Sequence, residues 1–418
     1  MANSILTPLQ IVREAARILH NNLSFVGNVN RAYDDQFARD GAKIGTQLNI
    51  RLPAKYTAEA GASISAYNDH VERSTPLYVT NQVKVPVSFT TAELTMSLDQ
   101  FSERVLKPAA TQLAAYIEND CLTRAYKLVA NYTGTTSTQM TYKQFQQGGQ
   151  YLTENLAPRS DRTALINPSS MVEFNNEVKG LYQASSNVAN QYREGMMGRT
   201  GGFDVLESTY VPNHTVGTLA GTPLTTGTAL GVSATTNTWA STSSITIDGA
   251  TSGTTLKAGD IITFGTVASG IVDINPETKQ SLGRLKKFVV QSDVEVVTAG
   301  TATITVAPAL IYGSGNAYQN CSRTKADTDN MTVTMFGVAS TTYGQNLQFH
   351  KDAFTFATAD LVLPEGAWGA RTVQDNISMR IVKDYAISTD TEICRIDVLY
   401  GFAGIYPELA ARGFHALT

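Results

Sequence analysis

At 418 residues the chain is longer than one hydrophobic core usually organises, and its 42% hydrophobic content is enough to fill two or three compact units. A formal net charge of -4 provides no broad basic field, so tight binding to nucleic acid through counterion release is not indicated. Charged residues are only 16%, while Thr, Ser, Ala, Gly and Asn are abundant, a balance that suits β-rich structure and extensive surface burial better than a highly solvated monomer.

Thr7-Pro8-Leu9-Gln10 offers an N-cap, a proline at the first helical position and a glutamine at the reciprocal capping position, and so predicts a helix running to about Asn21. Ile11, Val12, Ala15, Ile18 and Leu19 share one face and Arg13, Glu14 and Arg17 the other, so this helix must lie against something apolar, in its own domain or on a neighbouring subunit. From Gln47 the period changes to two. Leu48, Ile50 and Leu52 predict one strand, and Leu77, Val79, Val83, Val85, Val87 and Phe89 a second. The connection over residues 53–76 is far longer than the roughly two to six residues that compact domains use. Its charges, Arg51, Lys55, Glu59, Asp69, Glu72 and Arg73, suit either a plain solvated loop or a salt-bridged contact with a partner.

Residues 99–130 carry the best helical pattern of the chain, with Phe101, Val105, Leu113, Ile117, Cys121 and Leu128 at near-helical spacing. Pro108 requires that this helix begin near Lys107 or kink there. Composition shifts at about residue 213, and through residue 325 Thr, Ser, Gly and Val dominate, with short alternating runs between turn residues. That spacing describes a small β-barrel or sandwich inserted into a host domain. Met331–Phe336 and Cys394–Tyr400 are then expected to complete the interrupted host sheet.

Chemistry-bearing motifs are not found. Histidines 20, 70, 214, 350 and 415 lack H-x-x-x-H or H-E-x-x-H spacing, and Cys121, Cys321 and Cys394 match no C-x-x-C pattern. Gly313-Ser314-Gly315 is not a nucleophile elbow, and Gly198 to Gly202 holds no phosphate-binding pattern. Asp34 and Asp35 are adjacent, which turns them to different faces of a regular element and disfavours an acid and base pair. No catalytic residue, cofactor or metal is expected, and the cysteines read as reduced and structural. The first residues lack the apolar stretch of a signal peptide, and no run of about 18 apolar residues occurs, so a cytoplasmic protein without a membrane span is expected.

Three stretches together resemble the major coat proteins of tailed bacteriophages, in the short-tailed-phage branch that carries an inserted β-barrel, the I-domain, on the HK97-like fold. The first is Asn346-Leu347-Gln348-Phe349-His350-Lys351-Asp352-Ala353-Phe354-Thr355-Phe356-Ala357-Thr358-Ala359-Asp360-Leu361. The second joins Lys257-Ala258-Gly259-Asp260-Ile261-Ile262-Thr263-Phe264 with Asn275-Pro276-Glu277-Thr278-Lys279-Gln280 and Phe288-Val289-Val290. The third is Cys394-Arg395-Ile396-Asp397-Val398-Leu399-Tyr400-Gly401-Phe402 followed by Tyr406-Pro407-Glu408.

The resemblance implies an α+β fold with an N-arm (1–40), an extended E-loop hairpin reaching over the adjacent subunit (41–90) and the first part of the peripheral and axial domains (91–212). It further implies an inserted barrel (213–325) and a return segment of the axial and peripheral domains (326–418), with the helix at 99–130 as the spine. The implied function is self-assembly as hexamers and pentamers into the icosahedral shell that encloses a double-stranded DNA genome. The implied partners are other copies, a scaffolding protein and the portal during assembly, and weak non-specific contact with packaged DNA. The implied location is the virion, after assembly in the host cytoplasm. On this reading Arg51, Lys55, Glu59, Asp69, Glu72 and Arg73 become subunit-interface residues. A tail-tube or decoration protein would share the Thr-rich composition, but the long spine helix and the inserted barrel argue against it.

Overall fold

The computed structural model describes residues 8–21, 23–32, 47–58, 60–62, 70, 72–90, 107–178, 199–227, 232–233, 239–297, 299–313, 316–322, 329–364, 368–374, 377–388 and 391–417. The chain divides into two compact units. The first comprises Met1–Ile50, Thr75–Leu122 and Phe354–Ile405, and the second Arg51–Ser74, Thr123–Ala353 and Tyr406–Thr418.

In the first unit, helix α1 (Pro8–Asn21) begins at the predicted proline. Val12, Ala15, Ala16 and Leu19 are buried against the strands Trp368–Gln374 and Ile377–Ala386, and Arg13 and Arg17 are exposed. Helix α2 (Lys107–Leu128) starts one residue before Pro108, which therefore sits in the first turn, where no intrahelical N–H bond is lost. Phe101 and Val105 lie outside the described residues. Its buried positions come in pairs four apart, Ala109 and Ala110, Leu113 and Ala114, Ile117 and Glu118, Cys121 and Leu122, the recurrence that keeps one face of a 3.6-residue helix inward.

The sheet of this unit runs in the order Gln47–Leu52, Arg73–Thr90, Thr391–Gly404, Ile377–Ala386, Trp368–Gln374. Thr391–Gly404 is its central member. Along one edge it pairs with residues 79–90, and along the other with Ile377–Ala386 and then Phe354–Ala359. The register with residues 79–90 shifts between Val79 and Asn81, opposite Gly401. A Cβ at Gly401 would stand 2.3 Å from the Tyr78 carbonyl oxygen, so only glycine fits. Of the two-stranded arm expected over 41–90, the strands Gln47–Leu52 and Arg73–Thr90 are neighbours in the sheet, and residues 79–90 pair on with Thr391–Gly401 of their own chain. Residues 41–46 lie outside the described residues.

In the second unit a seven-stranded sheet orders Tyr132–Gly134, Ala410–Ala416, Thr342–His350, Arg162–Ile166, Phe203–Glu207 and Arg199–Thr200, with His214–Thr215 also paired to Thr342–His350. Helices α3 (Tyr142–Glu154) and α4 (Pro168–Val178) cover it through Phe145, Leu152, Met171, Phe174 and Phe203. Thr141 and Gln144 form the capping box that starts α3.

The insertion is a six-stranded sheet in the order Val333–Met335, Ile261–Phe264, Phe288–Val290, Ala302–Ala307, Ser243–Ala250, Gly221–Thr225. It rolls into a nearly closed barrel. The seam is drawn together where the Thr225 N–H donates to the Met331 carbonyl at 2.9 Å and the Asn330 N–H to the Thr225 carbonyl at 2.8 Å. Ile245, Ile247, Ile262, Phe264, Phe288, Val290, Ile304 and Val306 fill the interior. The expected boundary of 213–325 needs correction. Val333–Met335, predicted to return to the host sheet, pairs with Ile262–Phe264 as a barrel edge, and the host sheet resumes only where Thr342 faces Thr215. A run with period two satisfies either sheet, so alternation alone does not choose between them.

These boundaries carry a prediction. Residues 216–341 expressed alone should fold with a strand-type circular dichroism spectrum and a cooperative urea transition, whereas residues 213–325, lacking an edge strand and half of the seam, should not. Equal behaviour of the two fragments would contradict the barrel described here.

Candidate assembly surfaces

The charged loop predicted as a contact region is held at its base by one side chain. Arg73 is buried and donates from Nε and Nη2 to the Pro53 carbonyl at 3.2 and 2.8 Å. Its guanidinium stands 5.0 Å from the Tyr318 ring centroid and 5.8 Å from that of Trp239. The Lys55 backbone N–H also donates to the Tyr318 hydroxyl at 3.2 Å. The base of the loop, at Pro53, Lys55 and Arg73, is therefore held against Trp239 and Tyr318 of its own chain, and Arg73, predicted as a subunit-interface residue, is buried there.

What remains outward is a small mixed cluster. Arg51 and Glu72 form an ion pair at 3.7 Å with side chains 80% and 58% exposed, worth no more than about 1 kcal/mol at such exposure. The Tyr56 hydroxyl meets His70 Nδ1 at 2.8 Å with the two rings stacked, and His70 Nε2 lies 3.9 Å from Glu72. Lys55 is exposed, and Glu59 and Asp69 lie outside the described residues. Trp239 and Tyr318 sit far along the chain from the loop, so no spacing rule could have found them.

The neck of the barrel is pinned by buried polar groups. His214 Nε2 donates to Asp260 Oδ1 at 2.8 Å, and the same carboxylate accepts the Lys257 N–H at 2.7 Å and the Gly217 N–H at 3.1 Å. Burial holds His214 below its ordinary pKa, with Asp260 opposing, so the imidazole is the neutral donor. Beside it Arg412, fully buried, donates to the Gly259 carbonyl and packs on the rings of Phe414 and Tyr126. Burial pushes its guanidinium down to about 9. A second pin is Lys287, whose ammonium donates to the Tyr132 carbonyl at 2.7 Å and the Tyr151 hydroxyl at 2.6 Å, over both rings. Burial lowers it to about 7. Arg284 and Lys286 pair with Asp273 at 3.0 and 3.1 Å.

In the first unit the buried Asp397 takes both ends of Arg380, at 3.0 and 2.6 Å, together with Arg395 at 2.7 Å and Gln82 at 2.8 Å. Three neighbouring strands are thereby locked in register by one carboxylate. Among the described residues no group of three His, Cys, Asp or Glu is placed to hold a metal ion, and no helix is long and apolar enough to cross a membrane. The three cysteines are free and buried.

A sequence model described as P22 coat protein, gene protein 5, matches residues 12–415. The chain belongs to the P22 coat protein family. This coat protein is the major capsid protein of a tailed phage, and its architecture is α+β with a nearly closed barrel inserted. A solved structure from Mycobacterium phage Che8 is similar at 11% identity and a TM-score of 0.45, covering 94% of this chain and 90% of that one. The capsid of cyanophage P-SCSP1u is similar at 10% identity and 0.42, covering 94% and 93%, and the mature capsid of bacteriophage PhiM1 at 10% and 0.41, covering 89% and 82%. No curated protein sequence matches the chain. The coat protein's place is the virion, and it assembles with copies of itself.

Two predictions follow from the buried polar groups of the second unit. Asp260→Ala strands the Lys257 and Gly217 amides and the His214 Nε2–H and should cost about 1–3 kcal/mol or more, read as a lower urea midpoint. His415, whose Nδ1 accepts from Asn346 and whose Nε2 faces Ser169, is pushed by burial down to about 4. A base depressed in the folded state contributes stability that is full above about pH 6.5 and is lost as pH falls towards 4. Thermal melts should therefore fall over that window by at most about 3 kcal/mol on this account, and His415→Gln should flatten the slope. An unchanged slope would contradict the assignment.

Proposed function

We propose that this coat protein closes an icosahedral shell around the phage genome as hexamers and pentamers, and that the exposed cluster of Arg51, Lys55, Tyr56, His70 and Glu72 is one of its contacts with the next copy. The observation that carries the loop reading is the division of labour at its base. Arg73 fixes the loop through Pro53, Trp239 and Tyr318, while Arg51, Lys55, Tyr56, His70 and Glu72 are left exposed together. A loop fixed at its base loses less entropy on docking, and aromatic and arginine side chains are the types that interfaces concentrate.

Individual contacts in such a shell need only be modest. Each subunit makes many of them, and contacts that were separately very tight would hold misassembled forms. The net charge of -4 supports the same reading, since a DNA-filled shell gains nothing from a lining that grips its contents. A scaffolding protein and a portal during assembly in the host cytoplasm, weak non-specific contact with packaged DNA, and no catalytic activity complete the proposal.

Deleting residues 54–71 while keeping Pro53 and Arg73 should leave a folded protein that no longer forms shells, scored by circular dichroism and by electron microscopy of the particles. Normal particles from the deletion would remove the loop from the assembly contacts.

A further inference from the structure

Helix α2 carries a carboxylate where its pattern calls for an apolar side chain. Glu118 is 0% exposed at mid-helix, on the face that buries Leu113, Ala114, Ile117 and Cys121. Its oxygens accept the backbone N–H of Phe25 at 3.0 and 2.9 Å and that of Val26 at 3.0 Å, with the Ser24 hydroxyl at 3.5 Å. These amides open the short helical turn Val26–Asn28 in the segment that leaves α1. The rest of this strap, residues 23–30, is seated by apolar contacts. Leu23, Phe25, Val26 and Val29 are buried, and the Phe25 ring lies 5.7 Å from that of Phe354 and 5.9 Å from that of Phe402. At its far end Asn30 bonds through its own N–H and carbonyl to Phe354 and Phe356, at 3.1 and 3.0 Å.

A buried carboxylate normally has a cation. None of the described lysines, arginines or histidines pairs with Glu118, and residues 23–30 contain no ionisable side chain. On its own helix the ionisable groups within three residues are the exposed Tyr116, Asp120, which accepts the Tyr400 hydroxyl at 2.7 Å, and the buried Cys121. The strands packed on the strap contribute Phe354 and Phe402 there and Tyr400 through Asp120. The ionised form is left with the hydrogen bonds of the Phe25 and Val26 amides and of Ser24 set against desolvation, and burial outweighs them, raising the carboxyl from 4.5 to about 7.

We propose that Glu118 is a proton-operated latch on the strap 23–30, seating the chain that leads from the N-terminal helix when protonated and releasing it as the carboxyl ionises. Opening exposes the group to water, which takes its proton. The sign follows from an acid whose pKa is higher in the seated than in the opened state, so that closure is fully favoured below about pH 4.5 and is lost as pH rises through about 7. The proposal does not depend on which surface the coat protein uses to meet its neighbours.

The test is amide hydrogen exchange of the full-length coat protein across residues 23–30, corrected for intrinsic pH dependence. Protection of the Phe25 and Val26 amides should be lower at pH 8 than at pH 6 by on the order of tenfold. In Glu118→Gln, which keeps the shape without the titration, protection should be equal at the two pH values. Asp120→Asn should retain the wild-type difference. Equal wild-type protection at pH 6 and pH 8 would overturn the latch, as would a Glu118→Gln protein that keeps the tenfold change or an Asp120→Asn protein that loses it. Because the wild-type profile and the Asp120→Asn control stand alone, the proposal stays open to refutation even if Glu118→Gln does not fold.

Discussion

The second unit depends on one cross-strand pair. A segment running from residue 216 to residue 341 is a large interruption, and the loop-closure entropy of such an insertion is tolerable only if its two ends meet in a position the host already favours. They meet as neighbours in the host sheet, with Thr215 opposite Thr342 and their hydroxyls 2.8 Å apart. The polar pins beside that pair then restrict the barrel's freedom. His214 precedes the departing chain and reaches Asp260 inside the barrel, Arg412 reaches the Gly259 carbonyl, and Lys287 reaches Tyr132 and Tyr151 of the host. Because Trp239 and Tyr318 receive Arg73, the placement of the charged loop depends in turn on that of the barrel.

Elements with a strong period were legible in the chain. The N-cap, proline and glutamine at residues 7–10 placed α1, Pro108 left a start near Lys107 or a kink there for α2, and alternating runs with turn residues announced a small barrel or sandwich. The edge strand Val333–Met335 was misassigned because period two says which face a residue takes and nothing about which sheet it joins. Arg73, counted among six surface charges, proved to be an internal anchor. Nothing local marks its partners, and cation–aromatic stacking has no spacing in sequence.

Buried polar residues were the least legible of all. Asp397 and Asp260 lie within stretches whose family resemblance is plain, yet their roles rest on donors from distant segments: Arg380 and Gln82 in one case, His214 and Gly217 in the other. Glu118 was passed over because a single carboxylate in a long helical pattern reads as a solvated position. Each of these groups breaks a local rule, and each is where separate segments are joined. Such groups specify one arrangement because the alternatives leave a charge or an amide unpaired.

A coat subunit is defined by what it forms with its own copies, so the most direct test of the account is the state of association of the purified protein. Negative-stain electron microscopy and sedimentation velocity should be run on the chain produced with and without the scaffolding protein proposed above. Closed shells, or rings of capsomer size, are the predicted result in at least the first condition. A strictly monomeric protein in both would contradict the central claim and return the tail-component reading to consideration.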